Sequence, residues 1–331
     1  MVIDAPGYLL RLESGIAAGA ALLPNGFAQP HREYIERCML PDGGFAGRRG
    51  GSDIYYTAFG LRAAALLGVS SPGFWERAGS FVVQAGARAA GTVECFSTLA
   101  AARPLIERAG AQASGPLGAS LSVAARPVLE NLSRGGPSAE GPDKEPTLYG
   151  TFLAMHCWGM IGQPMPDGDE AARFVLAHRQ ADGSFSDSGA RQSGTNPTSA
   201  AVGVLSAAGA LDEETAAGAA RFFGRMQDGT GGSLAHGKAP AADLLSTFTA
   251  LVAAVEVRGL HMISLGDCGR FARELACDDG GFRAARLDDE SDVEYTYYGV
   301  ATMGLLAGIA AAGAPSRCRC ADEPGCCEAT D

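Results

Sequence analysis

The chain has 331 residues, 47% of them hydrophobic, enough to bury one large core or two ordinary ones. A formal net charge of −11 argues against a nucleic-acid binder, because affinity for polyanions comes mainly from clustered Lys and Arg. Asp4, Arg11 and Glu13 flank only a short apolar stretch at 16–23, unlike a signal peptide, and the longest apolar run, 302–314, is too short to span a bilayer, so the chain reads as soluble and cytoplasmic.

One pattern recurs along the chain: a Gly-rich turn ending in Phe or Ser, a polar linker, and a helix start with Ser or Thr at its fifth position. The six starts open at Asp53, Val93, Thr147, Thr195, Asp243 and Asp292, spaced 40, 54, 48, 48 and 49 residues apart. Their fifth positions are Thr57, Ser97, Thr151, Ser199, Thr247 and Thr296. The segments that follow (58–68, 98–106, 152–161, 200–208, 248–255 and 297–309) are apolar nearly all round, which predicts helices buried on both sides. Between them, segments such as 169–179 and 212–226 carry apolar residues at helical spacing amid charge and predict half-solvated outer helices.

Six buried helices in an open row would leave one face wet along its whole length. Closing the row removes that cost, so the expected fold is all-α, a closed ring of six helical hairpins, which the resemblance described below implies is a six-plus-six α/α barrel. The stretch 107–143 fits the pattern least; it predicts an outer helix around 117–132 and then a mobile loop. The barrel is expected over 1–313 and a disordered Cys-rich tail over 314–331. A positive φ at Gly44 or Gly281 would make a β-branched replacement cost about 1–3 kcal/mol.

Cys38, Cys95, Cys157, Cys268 and Cys277 have no paired spacing and read as small buried hydrophobes. Cys318, Cys320, Cys326 and Cys327 are four thiols in the tail, but not at the spacing of a zinc knuckle. Carboxylates stand at the helix starts (Asp53, Glu94, Asp243, Asp292, Glu294), where each is either a cap on free backbone N–H groups or part of a site. Aromatic residues beside them, Tyr55, Tyr56, Tyr149, Trp158, Phe248 and Tyr298, are candidates to line a central cavity, or simply core. Arg48 and Arg49, with His236 and Lys238, are solvated loop charge or, on the family resemblance described next, candidate diphosphate ligands. His156 reads as a hydrogen-bonded core histidine.

The turns running from Pro41 through Gly47, from Gln180 through Phe185 and from Asp278 through Phe282, each leading into an inner helix, resemble the repeat of the protein prenyltransferase β-subunits and the squalene and terpene cyclases. The resemblance covers roughly 32–308 and implies a toroid around an apolar funnel that takes an isoprenoid diphosphate or a terpenoid. It also implies a helical-hairpin α-subunit partner, as in the heterodimeric prenyltransferases. In that family a zinc ion is held by an Asp, a Cys two residues later and a His; the matching positions are Asp243, Leu245 and Tyr295, so two ligands are missing. Asp243 alone would remain for zinc, with Asp292 and Tyr295 as the other candidate catalytic groups. The family's diphosphate-binding His falls on Thr195. The resemblance therefore implies an isoprenoid-processing enzyme close to a prenyl transferase with a degenerate metal site. A small single-barrel cyclase and a non-catalytic isoprenoid- or protein-binding scaffold are the alternatives.

Overall fold

The computed structural model describes residues 8–89, 91–108, 130, 147–187 and 193–313. Its repeat is built from a glycine, a phenylalanine and a threonine. Gly43, Gly183, Gly231 and Gly280 take φ of 88, 84, 91 and 90°, a region glycine alone enters without strain. A Cβ on any of them would also lie only 2.2–2.4 Å from the backbone of an outer helix. The left-handed residue is thus the first glycine of each pair. Gly44 and Gly281 are constrained by space instead, their Cβ positions falling 2.6 Å from Ser52 and 2.5 Å from Ser291.

Phe45, Phe185 and Phe282 follow these turns and are fully buried. Their amides donate to the hydroxyls of Thr57, Thr198 and Thr296 at 2.9–3.0 Å. The same hydroxyls donate to the carbonyls four residues back, at 2.6–2.7 Å, so one β-branched side chain ties the turn to the helix start. In the fourth repeat the anchor is therefore Thr198, one residue before Ser199, and the start that matches Asp243 is Gly194, not Thr195. In the second repeat Thr98, not Ser97, bonds back to the carbonyl of Glu94 at 2.8 Å. The phenylalanine rings lie on helix glycines: a Cβ at Gly60 would sit 2.7 Å from Phe45, and one at Gly299 would sit 2.3 Å from Phe282.

Twelve helices are described: α1 (Tyr8–Ala20), α2 (Asn25–Cys38), α3 (Ile54–Leu66), α4 (Phe74–Gly86), α5 (Thr92–Arg108), α6 (Leu148–Met160), α7 (Gly168–Ala177), α8 (Thr195–Ala207), α9 (Glu213–Met226), α10 (Leu244–Glu256), α11 (Leu265–Glu274) and α12 (Val293–Ala311). Two short antiparallel hairpins, β1 (Ser233–Leu234) with β2 (Ala242–Asp243) and β3 (Phe282–Arg283) with β4 (Ser291–Asp292), precede α10 and α12. The inner helices α3, α5, α6, α8, α10 and α12 pack in that order, and α12 returns to α3, which closes the ring. The last turn marks the same closure, since Gly280 packs on Pro30 of the first outer helix, α2. Outer helices α2, α4, α7, α9 and α11 match the expectation; the outer helix and loop expected over 107–143 and the tail over 314–331 lie, but for residues 107, 108 and 130, outside the described residues. No described helix is long and apolar enough to cross a membrane.

The N-terminal segment, which the repeat pattern does not include, folds as α1 and is part of the toroid. It touches the C-terminal halves of all six inner helices. Tyr8 stacks on His156 of α6, with ring centroids 5.3 Å apart, and packs beside Gly203 of α8. Arg11 bonds Glu256 of α10 at 3.0 Å, and Glu13 pairs with Arg62 of α3 and Arg103 of α5 at 3.3 and 2.7 Å. Against α12 the approach is backbone to backbone: a Cβ on Gly19 would fall 1.9 Å from the carbonyl oxygen of Gly304. Helix α1 therefore covers the C-terminal end of the ring and leaves the N-terminal ends of the inner helices as its mouth.

Candidate functional site at the mouth of the ring

At the mouth the aspartates act as caps. Asp53 accepts from the amide of Tyr55 at 2.7 Å, and Asp292 from that of Tyr295 at 2.8 Å. Asp243 accepts from the amide and hydroxyl of Ser246 at 2.7 and 2.8 Å. Burial nevertheless pushes the Asp243 carboxyl above the usual carboxylate range. Both oxygens of Asp292 are engaged, because Arg48 Nε donates to the second at 2.9 Å.

Arg48 is tied more firmly than a loop cation. Its guanidinium also grips Asp288 through two hydrogen bonds and the carbonyl of Glu290, so it fastens the first repeat to the last. Arg48 and Arg49 line an open cavity of about 890 Å³ together with Tyr56, Tyr295 and Leu287. The same wall carries five acidic residues, Asp288, Asp289, Glu290, Asp292 and Glu294, which outnumber the two arginines. His236 and Lys238 lie on the β1–β2 hairpin, where the amide of Lys238 meets His236 Nδ1 at 3.3 Å, and they form no part of this wall.

Inside the rim the aromatic residues converge. The ring of Tyr55 lies 5.0 Å from Phe59, Phe59 lies 5.3 Å from Tyr298, and Tyr298 lies 5.3 Å from Phe248. Helices α3 and α10 flank α12, so rings from all three meet only by pointing into the ring. Tyr295 joins at 6.0 Å from Tyr298, with Arg48 5.9 Å from its own ring. Burial raises the Tyr295 phenol to about 12, and the charges of Glu294 and Asp243 push the same way, so it is neutral. Tyr149, at the first turn of α6, is half exposed and influences Tyr55 and Tyr298 electrostatically. Trp158 does not join them: seven residues beyond Thr151, it shares that residue's face of α6 and is buried with its Nε1 unpartnered.

Glu294 is the residue around which the cluster is organised, and helix-start position alone gave it no more prominence than Glu94 or Asp53. Tyr55 donates to its Oε1 at 2.7 Å. Burial pushes its carboxyl up, while hydrogen bonds from Tyr55 and Tyr298 act the other way. It lies on the wall of the mouth cavity on one side and against the aromatic layer on the other. The sequence signal that distinguishes it is pairing by repeat: Tyr55 and Glu294 are the second residues of α3 and α12.

A zinc ion does not fit these residues. Asp243 has Leu245 and Tyr295 where two further donors would be needed, and both its oxygens serve Ser246. Among the described residues, no group of three His, Cys, Asp or Glu side chains is placed to hold a metal.

The prenyltransferase alpha-alpha toroid domain model matches residues 23–101 and 198–321. The chain belongs to that family. No curated protein matches it. Among solved structures it is similar to Candida albicans protein geranylgeranyltransferase-I complexed with GGPP, at a TM-score of 0.60 and 12% identity over 84% of this chain and 90% of that one. It is also similar to the type II terpene cyclase MstE from Scytonema, at a TM-score of 0.58 and 11% identity over 87% of this chain and 98% of that one. A variant of that cyclase in complex with its substrate, geranylgeranyl dihydroxybenzoate, aligns at a TM-score of 0.56 and 12% identity over 92% of this chain and 99% of that one. At these identities the likeness is one of fold: a prenyltransferase-like toroid.

Proposed function

We propose that this toroid is an isoprenoid-processing enzyme that cyclises a neutral polyprenyl substrate, with Glu294 as the proton donor. The observation that carries the reading is a carboxyl at the edge of an aromatic layer, raised by burial, with the Tyr55 phenol donating a hydrogen bond to it. In its neutral form Glu294 gives its proton to the less substituted carbon of a terminal alkene, leaving a tertiary carbocation. A second alkene of the same chain closes on that cation, and loss of a proton from the last cation restores a neutral product. The carboxylate left behind accepts from Tyr55 and Tyr298, and the open mouth supplies the proton that resets it. Phe59, Phe248 and Tyr298 pack on one another next to this carboxyl, and aromatic rings stabilise cations without trapping them as a nucleophile would. Tyr295, Asp243 and Asp292 shape the rim, and Tyr55 and Tyr56 its α3 side.

The acidic wall supports a neutral substrate over a diphosphate, since Arg48 is already neutralised by Asp288 and Asp292. Comparable length to a type II terpene cyclase supports chemistry within one barrel. Prenyl transfer is the second reading, favoured by the carboxylate retained at Asp243, where the family's first metal ligand falls. It would call on Arg49, His236 and Lys238 for the diphosphate and on an α-subunit-like partner. A ring that holds an isoprenoid without turning it over is the third.

Incubation in D2O with a geranylgeranylated dihydroxybenzoate decides among them. The expected product is an isomer of the substrate with one deuterium in place of one hydrogen, and Glu294→Gln makes none. Transfer of the prenyl group from geranylgeranyl diphosphate to the thiol of an added cysteine peptide, with pyrophosphate released and no isomerisation of the neutral substrate, would replace this reading with prenyl transfer. Binding of either without reaction would leave the scaffold.

A further inference from the structure

At the opposite end of the toroid from the mouth, a cavity of about 860 Å³ opens between the first turn of α1, the last turns of α6 and α8, and the start of α7. Its volume lies within the range of small-molecule sites, roughly 300–1,000 Å³. Three thioethers, Met155, Met160 and Met165, line it with Leu9. Such side chains are unbranched and polarisable and adapt to an irregular apolar guest. His156 forms part of the wall, 4% exposed, its ring between Tyr8 at 5.3 Å and Phe152 at 4.3 Å.

The Nε2 atom of His156 is buried and has no hydrogen-bond partner, which is costly in a protein interior. The mouth chemistry does not use this residue. Burial pulls its pKa down to about 3, so the imidazole is neutral at any physiological pH and suits an uncharged partner. The rim holds Asp167, Asp169 and Glu170 against Arg11 and Arg173, a balance that does not favour an anion.

We propose that this cavity is a second ligand site, for a neutral lipid-like alcohol whose chain lies on the methionines and whose hydroxyl bonds His156 Nε2. The site is separate from the mouth and does not depend on the cyclase reading. Because Nε2 is shielded and Tyr8 stacks on the His156 ring, the hydroxyl reaches it by displacing Tyr8, so α1 is both the cover of the ring and one wall of the site.

Gly159 provides a clean test. It lines the cavity from an exposed helical position, and a Cβ there meets nothing within 4 Å, so Gly159→Phe adds a ring to the wall from a Cβ that has open space. Geranylgeraniol would be titrated into the full-length protein, followed by calorimetry and by the ¹⁵N shift of His156. The expected result is saturable binding that moves the His156 resonance, is lost in Gly159→Phe, falls about 5- to 10-fold in His156→Phe for one neutral hydrogen bond, and survives Glu294→Gln. Geranylgeranyl diphosphate should not move that resonance. No saturable binding, or binding equal in parent and Gly159→Phe, overturns the proposal. If His156→Phe fails to fold, the Gly159 variant and the resonance still decide.

Discussion

Tyr55 and Glu294 occupy the same position in neighbouring repeats, and the phenol of one donates to the carboxylate of the other at 2.7 Å across the seam where the ring closes. The bond exists only because the sixth repeat packs against the first. It holds one carboxylate of the mouth against the aromatic layer.

Replacing Glu294 by Gln should separate function from stability. Turnover should vanish, while the melting temperature at pH 7 to 8 rises by about 1–3 °C, because a neutral amide escapes the desolvation that raises the carboxyl. The sign follows from linkage. A carboxyl whose folded pKa is raised contributes stability below its ordinary range and loses it as pH climbs through the folded value. Thermal melts from pH 4 to 8 should therefore show a shallower decline in the variant, and an identical decline would remove Glu294 as a perturbed group.

Tyr55→Phe removes a hydrogen bond that lowers the Glu294 pKa. The donor must be protonated to act, so activity falls as pH rises through that pKa. The variant's descending limb should move to higher pH, with a lower plateau because the developing carboxylate has lost a partner. A pH–rate profile checks this; a limb that moves to lower pH contradicts the assignment.

Seating of α1 depends on Gly19. Gly19→Leu should cost at least about 1–3 kcal/mol by overpacking against Gly304 and Gly308, read from urea unfolding. Gly15→Ala, four residues earlier with open space at its Cβ, should instead gain up to about 0.5–1 kcal/mol from helix propensity. Equal effects would mean that α1 does not pack on α12 as described.

The ion pairs beneath the aromatic layer should be unequal. Glu13 serves both Arg62, whose guanidinium stacks 4.1 Å from the Tyr297 ring, and Arg103, so Glu13→Gln leaves two largely buried cations short of a partner. A loss of about 1–3 kcal/mol is expected, below the value for a fully buried pair because all three side chains keep some exposure. Glu107 pairs with Arg103 from a largely exposed position, and Glu107→Gln should cost under about 0.5 kcal/mol. Denaturation midpoints of the two variants provide the comparison.

Loss of the Asp243 cap should be structural first. Asp243→Ala is expected to cost about 1 kcal/mol, and added zinc should leave the melting temperature of parent and variant unchanged. A zinc-dependent rise in the parent alone would restore the metal reading.

The sequence by itself determined the repeat and the ring. Glycine followed by phenylalanine and a later threonine is a local instruction, set by φ, by a ring resting on a helix glycine and by one hydroxyl bridging two backbone groups. Six apolar segments then have no dry arrangement except closure. Registration within one residue at Gly194 and Thr98 was beyond it, because neighbouring Ser and Thr look alike until one hydroxyl is seen to bond. Tertiary structure alone decided the rest. The place of α1 follows from contacts with residues 49 to 289 positions away, from Glu13 with Arg62 to Gly19 with Gly308, and no local period announces them. Arg48 became a clasp rather than a free cation because Asp288 and Asp292 arrive from the far end of the chain. Glu294 stands apart from other helix-start carboxylates because burial and two phenols surround it, and burial belongs to the closed ring, not to the residue.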